Sequence, residues 1–444
     1  MLAAFRNALL IPDLRRKIFI TLMLLGIYRL GVFIPTPGID LNRLQAQLDN
    51  FRQSGAGGIF DVLGFITGGN FEVFSIFALG VIPYITASII IQILTTVYPP
   101  LEKLSKEGEE GRRRINQYTR FGSIGLGAVQ GLFLAIALLG PNDVLKVGWS
   151  NGPFFWFVVM VTQVAGVAMV MWLGEKITEF GVGNGISLII FAGIVAGYPA
   201  AIAQQIQLIG SGQSNLLGFL FFFIMLIVAL MGMVLITQAE RRIPVQYARQ
   251  QRGNRMVGGQ TTYVPLRLNA AGVIPVIFAT SVLILPSTLI AAFPTVLWVQ
   301  RLGAWFNPGQ WQGLILSTIL VVAFTYFYTQ ITFDPRRIAD NLREYGGFVP
   351  GVRPGQPTQE HLTKITVRIT LWGALFLGFV NAAPLILSWL SGVGNMGLVF
   401  SGTGLLILVG VALDTLKQIE SQLQMRHYEG FVTKGRIRGR GRRM

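Results

Sequence analysis

Ten apolar runs, each long enough to cross a lipid bilayer as a helix, constrain the fold of this chain most strongly. Inside a bilayer the backbone finds no water, so these runs must be α-helices that satisfy their own N–H and C=O groups. Apolar residues make up 52% of the chain and charged residues only 13%, which is typical of membrane proteins. We therefore predict an all-α polytopic membrane protein with ten transmembrane helices, at residues 18–36, 71–98, 121–140, 154–173, 185–205, 215–238, 270–293, 311–332, 365–389 and 400–417.

The loops between these runs differ in charge, and this difference predicts how the chain is oriented. The N-terminus, every second loop after it and the C-terminus together hold 31 of the 36 Lys and Arg residues. Basic loops stay on the cytosolic side of a membrane, so both termini are expected in the cytosol. Arg29 lies inside the first run, and we expect its side chain to extend to the nearby membrane surface.

One pattern occurs twice, as GVIPYITAS at residues 80–88 and as GVIPVIFATS at residues 272–281. Each copy has a proline inside an apolar run, on the second helix of a five-helix half. With five helices per half, the second half enters the membrane with opposite polarity, as an inverted repeat requires. We predict two inverted pseudo-repeat halves, 1–205 and 206–444, with interrupted helices at their interface. Chance similarity between two proline-kinked helices explains the spacing equally well.

Four stretches outside the runs stand out. Residues 55–70 are apolar but too short to cross, and glycines flank them, so they form either a re-entrant segment or an ordinary outer loop. Residues 239–268 and 333–364 are predicted cytosolic loops whose length and positive charge suit an acidic protein or RNA partner. The basic tail, 418–444, is expected to contact anionic lipid or RNA, or to be merely solvated.

Sequence motifs for catalysis or metal binding are missing. The chain has no cysteine, and His361 and His427 have no metal-ligand spacing around them, so we predict no metal and no cofactor. No phosphate-binding loop or hydrolase motif is present, so the chain is not predicted to be an enzyme and a partner must supply energy. Glu72 and Asp414 lie near the ends of runs, which disfavours an ion-coupled transporter. A secondary solute transporter with an inverted-repeat fold remains the alternative, and a membrane scaffold without a pore is a third reading.

Five long stretches of the chain resemble the SecY family, the channel subunit of the bacterial Sec protein-conducting translocon. They are SIFALGVIPYITASIIIQIL (75–94), KEGEEGRRRINQYTRFG (106–122), WLGEKITEFGVGNGISLIIFAGIVAG (172–197), NAAGVIPVIFATS (269–281) and DNLREYGGFVPGVRPGQPT (340–358). The resemblance implies two halves closed around an hourglass pore with a re-entrant plug. It also implies that unfolded secretory polypeptides cross through this pore and that transmembrane segments leave sideways into the bilayer.

The same resemblance implies three groups of site residues. The pore ring is implied to be Val81, Ile85, Ile186, Ile190, Ile277 and Ile407, an apolar set that excludes water and ions by dewetting. The plug is implied to be Phe60, Asp61, Val62, Leu63, Gly64, Phe65, Ile66, Thr67, Gly68, Gly69 and Asn70. The lateral gate is implied to contain Pro83, Thr86, Ser88, Gln92, Pro275, Thr280 and Ser281. Thr86, Ala87, Ser88 and Gln92 are expected to face Ala279, Thr280 and Ser281.

Partners and location also follow from the resemblance. SecE and SecG are implied as small partner subunits of a heterotrimer, and the SecA ATPase or a translating ribosome is implied as the driving partner. Arg241, Arg242, Arg255 and Arg353 are expected to bind that driving partner, although Asn254 stands where a second basic residue is common. Secretory and membrane proteins are the expected substrates. The expected location is the bacterial plasma (inner) membrane, in contact with membrane lipids.

Overall fold

The structure is a computed structural model that describes most of the chain. The described residues are 11–53, 64, 68–69, 73–139, 144–146, 148–247, 250–252, 255–257, 261–269, 272–292, 303, 305–307, 310–393 and 396–434.

Helices dominate the described residues, and one lies within or across each of the ten predicted runs. The helices are α1 (Pro12–Val32), α2 (Leu41–Gln53), α3 (Ile82–Val97), α4 (Pro99–Lys106), α5 (Glu109–Leu139), α6 (Pro153–Phe180), α7 (Gly185–Gly210), α8 (Leu216–Gln238), α9 (Ile274–Ala292), α10 (Trp311–Thr332), α11 (Pro335–Glu344), α12 (Gln356–Ser391), α13 (Met396–Val399) and α14 (Gly402–Lys434). Seven helices in the described part are long and apolar enough to cross a membrane, or eight if α3 and α4, bent by 98°, form one span. The count of ten spans stays a prediction.

The repeated GVIP pattern begins a helix in both halves, so the predicted interruption is misplaced. Pro83 is the second residue of α3, and Pro275 is the second residue of α9. Proline loses no hydrogen bond there, because N–H groups in the first turn have no partner within the helix. Gly80 and Gly272 adopt φ of 53° and 65°, a left-handed conformation that favours glycine. In each pattern, therefore, a glycine in the left-handed conformation precedes a helix that has a proline in its first turn.

The segment before α3 is not helical, although the predicted run began at residue 71. It forms turns that are held by a buried polar group on α6. The Gln163 amide Nε2 donates to Thr36 Oγ1 at 3.0 Å and to the Ser75 carbonyl at 3.2 Å. Gly166 lets the Ile76 carbonyl approach α6 so closely that any Cβ there would overlap it. These contacts attach the start of α3 firmly to the first half.

Helix α9 contributes to three separate hydrophobic clusters and so joins the two halves. Ile284 packs with residues of α5 and α6 in the first half. Ile277 and Phe278 lie in a central cluster between the halves. Val276 and Ala279 pack with α8, α10, α12 and α14 in the second half. Since α9 touches all three clusters, a change in its position alters the contact between the halves.

The two predicted basic loops fold together into one small sheet, which an all-α fold class omits. Strands β1 (Glu240–Tyr247), β4 (Thr261–Arg267) and β5 (Gly347–Phe348) form an antiparallel sheet in the order β4-β1-β5. Strands β2 (Gln250–Arg252) and β3 (Arg255–Val257) form a separate hairpin. Because β5 follows α11, the sheet joins the first loop to the second.

The sheet has its own hydrophobic core. Ile243 and Val245 alternate with exposed residues along β1, as a strand with one buried face requires. They pack against Leu266, against Leu342 of α11 and against Leu362 of α12. We call residues 239–268 and 333–364 together the basic platform.

Two helices continue beyond their predicted runs. Helix α12 already begins at Gln356, so part of the second predicted loop is helical. Helix α14 continues to Lys434, so the first part of the predicted tail is helical as well, while residues 435–444 lie outside the described residues.

The left-handed glycine before α9 gives a direct test of this helix start. Replacing Gly272 with Ala should lower the free energy of unfolding by about 1–2 kcal/mol, because left-handed backbone strains any residue with a Cβ. A Cβ at Gly272 would meet no other atom within 4 Å, so the strain comes only from the local backbone and not from neighbouring residues. Gly26→Ala is the matched control, since its Cβ also meets nothing but lies in a helix. Thermal unfolding in detergent measures both variants, and equal midpoints would contradict the assignment.

Candidate pore constriction and lateral seam

The six predicted ring residues lie in one hydrophobic cluster between the halves. Each comes from the start of a helix: the residues flanking the beginning of α3 and the first two turns of α7, α9 and α14. Five of the side chains are only 3–8% exposed: Val81, Ile85, Ile190, Ile277 and Ile407. The sixth, Ile186, is partly buried and packs against this cluster. Such side chains offer no hydrogen bonds to water, ions or peptide. The cluster has the chemistry of a non-adhesive seal.

Val273 also belongs to this cluster, although it is absent from the predicted ring. It occupies the position in the second GVIP pattern that Val81 occupies in the first. The two positions also make the same backbone hydrogen bond. Ile85 N donates to the Val81 carbonyl at 3.1 Å, and Ile277 N donates to the Val273 carbonyl at 3.2 Å. Gly410 on α14 makes room for Val273, because a Cβ there would lie 2.6 Å from its Cγ2. The sequence repeat could have predicted that Val273 lies in the cluster, because Val273 and Val81 occupy the same position in the GVIP pattern.

Helices α3 and α9 pack against each other and form the seam between the halves. Three hydroxyl groups predicted for the gate hydrogen-bond within their own helices. Thr86 Oγ1 donates to the Ile82 carbonyl at 3.0 Å, Thr280 Oγ1 to the Ile277 carbonyl at 2.9 Å, and Ser281 Oγ to the same carbonyl at 2.8 Å. Separating α3 from α9 therefore breaks none of these bonds.

The structure corrects two expected contacts of the seam. Ala87 lies on the side of α3 that faces α5, where a Cβ on Gly122 would come within 3.5 Å of it. Ala279 packs in the cluster of the second half, away from the seam. Their faces follow from helical periodicity, since residues adjacent in sequence point about 100° apart.

The other gate predictions fall on residues of mixed burial. Pro83 and Pro275 are buried in the first turns of α3 and α9, whereas Ser88 and Gln92 are partly exposed further along α3.

The predicted plug lies largely outside the described residues, which omit Phe60, Asp61, Val62, Leu63, Phe65, Ile66, Thr67 and Asn70. Gly64, Gly68 and Gly69 are described. Gly68 has φ of 73°, and a Cβ there would lie 2.6 Å from Gly193 Cα on α7. The Arg29 Nη1 donates to the Gly68 carbonyl at 2.6 Å. This hydrogen bond within the protein is a contact of Arg29 that the sequence analysis did not predict.

The predicted partner-binding arginines lie on the basic platform. Arg241 and Arg242 are exposed on β1, and Arg242 pairs with Glu240 at 2.9 Å between Nη2 and Oε1. Arg353 is exposed just before α12, and its carbonyl accepts a hydrogen bond of 2.8 Å from Thr358 Oγ1. Arg255 lies on β3, but its side chain and Asn254 are outside the described residues.

Two ion pairs stabilise helices of the first half. Arg120 on α5 makes a bidentate ion pair with Glu175 on α6, with both hydrogen bonds at 2.8 Å. On α4, the Lys106 Nζ donates to Glu102 at 2.6 Å and lowers the pKa of that exposed carboxyl group. Among the described residues, no cluster of His, Asp and Glu could hold a metal ion.

Gln130 on α5 is a buried polar residue that the sequence analysis missed. Its side chain is 4% exposed, and neither amide atom has a hydrogen-bond partner in the described part of the chain. Leu134, one turn further along α5, belongs to the cluster that Ile284 of α9 joins. A single glutamine in an apolar run gives no sign of its burial, so the sequence alone could not single it out.

Comparison with known proteins identifies the family. A family model described as SecY matches residues 75–416. The chain is 57% identical over 444 residues to Protein translocase subunit SecY of Thermus thermophilus, covering 100% of both chains. The chain belongs to the SecY family.

Solved structures of this family share the fold. One, described as "The structure of a protein conducting channel", has a TM-score of 0.63 at 18% identity and covers 92% of each chain. Another, "Sec61 in the Canine ribosome-channel complex from the endoplasmic reticulum", has a TM-score of 0.60 at 17% identity and the same coverage. The chain is thus a channel subunit for protein translocation and a multi-pass inner-membrane protein. The alternative of a solute transporter is not favoured.

The unpartnered amide of Gln130 predicts how this SecY family chain responds to an apolar substitution. Gln130→Leu should raise the free energy of unfolding by about 1–3 kcal/mol, because an unsatisfied buried polar group costs that much. Gln92→Leu on α3, at a partly exposed glutamine, is the control for side-chain volume. A Gln130→Leu variant less stable than the parent would contradict this reading.

Proposed function

We propose that the central hydrophobic cluster is the closed constriction of a protein-conducting pore. The observation that carries this proposal is the meeting of Ile85, Ile190, Ile277 and Ile407 in one cluster, although they lie on four different helices. An unfolded polypeptide crosses by displacing these side chains, which bind no particular sequence because they form no hydrogen bonds. When the polypeptide leaves, the side chains close over one another and exclude water.

We propose that the seam between α3 and α9 is the lateral gate. The hydroxyls of Thr86, Thr280 and Ser281 bond within their own helices, so opening the seam leaves no new unsatisfied polar groups. Because α9 also packs into the second half, that half can move as a unit with it. A hydrophobic signal sequence or transmembrane segment leaves the pore for the lipid along this line.

The side of each element follows from charge. The basic platform and both termini are placed in the cytosol, because basic segments remain on that side. Residues 55–70, most of which lie outside the described residues, are then proposed as the plug on the opposite side of the constriction. The part of α14 after residue 417 is proposed to extend into the cytosol near anionic lipid.

Partners are proposed from exposed surfaces. The platform presents Arg241 and Arg353 in one folded unit, which suits the acidic surface of a motor such as SecA or the RNA of a ribosome. Apolar side chains such as Leu217 and Leu235 on α8 are exposed, and they suit SecE and SecG helices or lipid tails.

The pore assignment is tested by photo-crosslinking. A photo-reactive residue at Ile85 or Ile277 should crosslink to a stalled secretory chain in vesicles that hold the complete complex. The same residue at Ile319 on α10, whose side chain is 57% exposed, is the control and should crosslink to lipid instead. Deleting the signal sequence should abolish the crosslinks to the secretory chain. Normal export without a crosslink at either pore position would refute the assignment.

The platform assignment predicts a specific loss. Arg353→Glu should reduce motor-driven precursor transport at least about tenfold, since an arginine at the centre of an interface often contributes that much binding energy. Arg336→Glu on α11 is the charge-matched control in the same loop and should change transport about twofold or less. Transport rates and motor affinity are measured on the same vesicles. Equal loss in both variants would indicate only a general effect of charge.

A further inference from the structure

The short loop between α6 and α7, residues 181–184, is held by hydrogen bonds from both halves of the chain. Val182 N donates to Thr21 Oγ1 of α1 at 3.0 Å, across 161 positions of sequence. Gly183 N donates to Gln418 Oε1 of α14 at 3.0 Å, across 235 positions. Helix α1 lies in the first half and α14 in the second. Two neighbouring amides of one loop are therefore bound to opposite halves.

The loop also fits closely against α14. The Val182 side chain is 3% exposed and packs in a small hydrophobic cluster with Leu14 of α1 and Ile419 of α14. Gly183 has φ of 88°, a left-handed conformation that favours glycine. A Cβ on Gly183 would come within 3.0 Å of Thr415 Oγ1 on α14. The Gly183 backbone thus lies directly against the second half, without a side chain between them.

Helix α7 begins directly after this loop, so the loop sets where the first turn of α7 lies. Asn184 is the N-cap residue, and its side chain accepts a hydrogen bond of 3.2 Å from Ser187 N. A cap of this kind attaches the first helical turn to the residue that precedes it. Ile186 lies in that turn, and Ile190 lies about one turn further along. Both are ring residues, so the position of the loop determines the position of two ring side chains.

We propose that Gln418 is a positioning residue whose bond to Gly183 keeps the start of α7, and with it Ile186 and Ile190, in the closed constriction. This rests on the proposed function, in which these side chains seal the pore. Helix α14 also carries the ring residue Ile407, which precedes Gln418 by about 16 Å along the helix. One helix of the second half thus places a ring residue of its own and fixes two more on α7. Without the bond, the start of α7 can shift relative to α14 and open the seal.

The test compares Gln418→Leu, which removes the hydrogen-bond acceptor, with Gln418→Glu, which keeps one at the same position. The control is Gln424→Leu, at an exposed glutamine on the same helix. In vesicles holding the complete complex without substrate, ion leak through Gln418→Leu should rise about threefold to tenfold, as expected for the net loss of one hydrogen bond. Gln418→Glu and Gln424→Leu should both match the parent.

A second measurement follows the loop itself. Hydrogen exchange at the Gly183 amide should be faster in idle Gln418→Leu than in the idle parent complex. Exchange at the Val182 amide should stay the same, because Thr21 still accepts its hydrogen bond. This difference between neighbouring amides separates loss of the Gln418 bond from general unfolding of the loop.

The proposal is overturned if Gln418→Leu matches Gln424→Leu in ion leak or in exchange at the Gly183 amide. It is also overturned if Gln418→Glu leaks as much as Gln418→Leu, because the acceptor would then not be the cause. Failure of the proposed function would appear separately, as an absence of crosslinks from Ile85 and Ile277 to the secretory chain in the parent complex.

Discussion

Apolar packing among four helix beginnings, which brings Ile85, Ile190, Ile277 and Ile407 into one cluster, is the interaction on which the proposed closed channel depends. Packing of this kind has no direction, so it seals without a specific partner and re-forms after each polypeptide has passed. A polar seal would retain peptide groups through hydrogen bonds, and a charged one would attract ions. Side chains that can only exclude water meet both requirements of a channel with substrates of arbitrary sequence.

This packing requires four helices that begin close to the central hydrophobic cluster. The left-handed Gly80 and Gly272, each followed by a proline in the first helical turn, produce such beginnings in both halves. The backbone before α3 is irregular, and inside a membrane such backbone is tolerated only when it is buried in protein. Gln163 and Gly166 of α6 provide that burial, and they attach the beginning of α3 to the first half. Helix α9 packs against both halves, through Ile284 in the first and through Val276 and Ala279 in the second.

Sequence reasoning could predict the helices and the meeting of the halves, because hydropathy and charge report directly on the membrane. It placed Val81 and Ile277 through family resemblance, since nothing in an apolar run distinguishes a seal from a lipid-facing residue. It interpreted Pro83 and Pro275 as interruptions, because a proline looks the same at a helix start and at a kink. It missed the strands of the platform, where Pro244 interrupts the pattern of β1 and only tertiary pairing with β4 completes the strand.

Other features depend on contacts that no local pattern encodes. Arg29 hydrogen-bonds to Gly68, 39 residues away, and no local pattern predicts that partner. Ala279 was expected at the gate through the family resemblance, yet it packs in the hydrophobic cluster of the second half. In both cases the contact depends on which face of a helix meets a neighbour, which the sequence alone does not give.

The central claim is that the polypeptide path runs through the cluster of Val81, Ile85, Ile190, Ile277 and Ile407. Cryo-electron microscopy of the complete complex with a stalled secretory chain tests this claim most directly. The account predicts density for the extended chain between these side chains, with the cluster separated and α3 displaced from α9. Density for the chain along another route, with the cluster still closed, would contradict it.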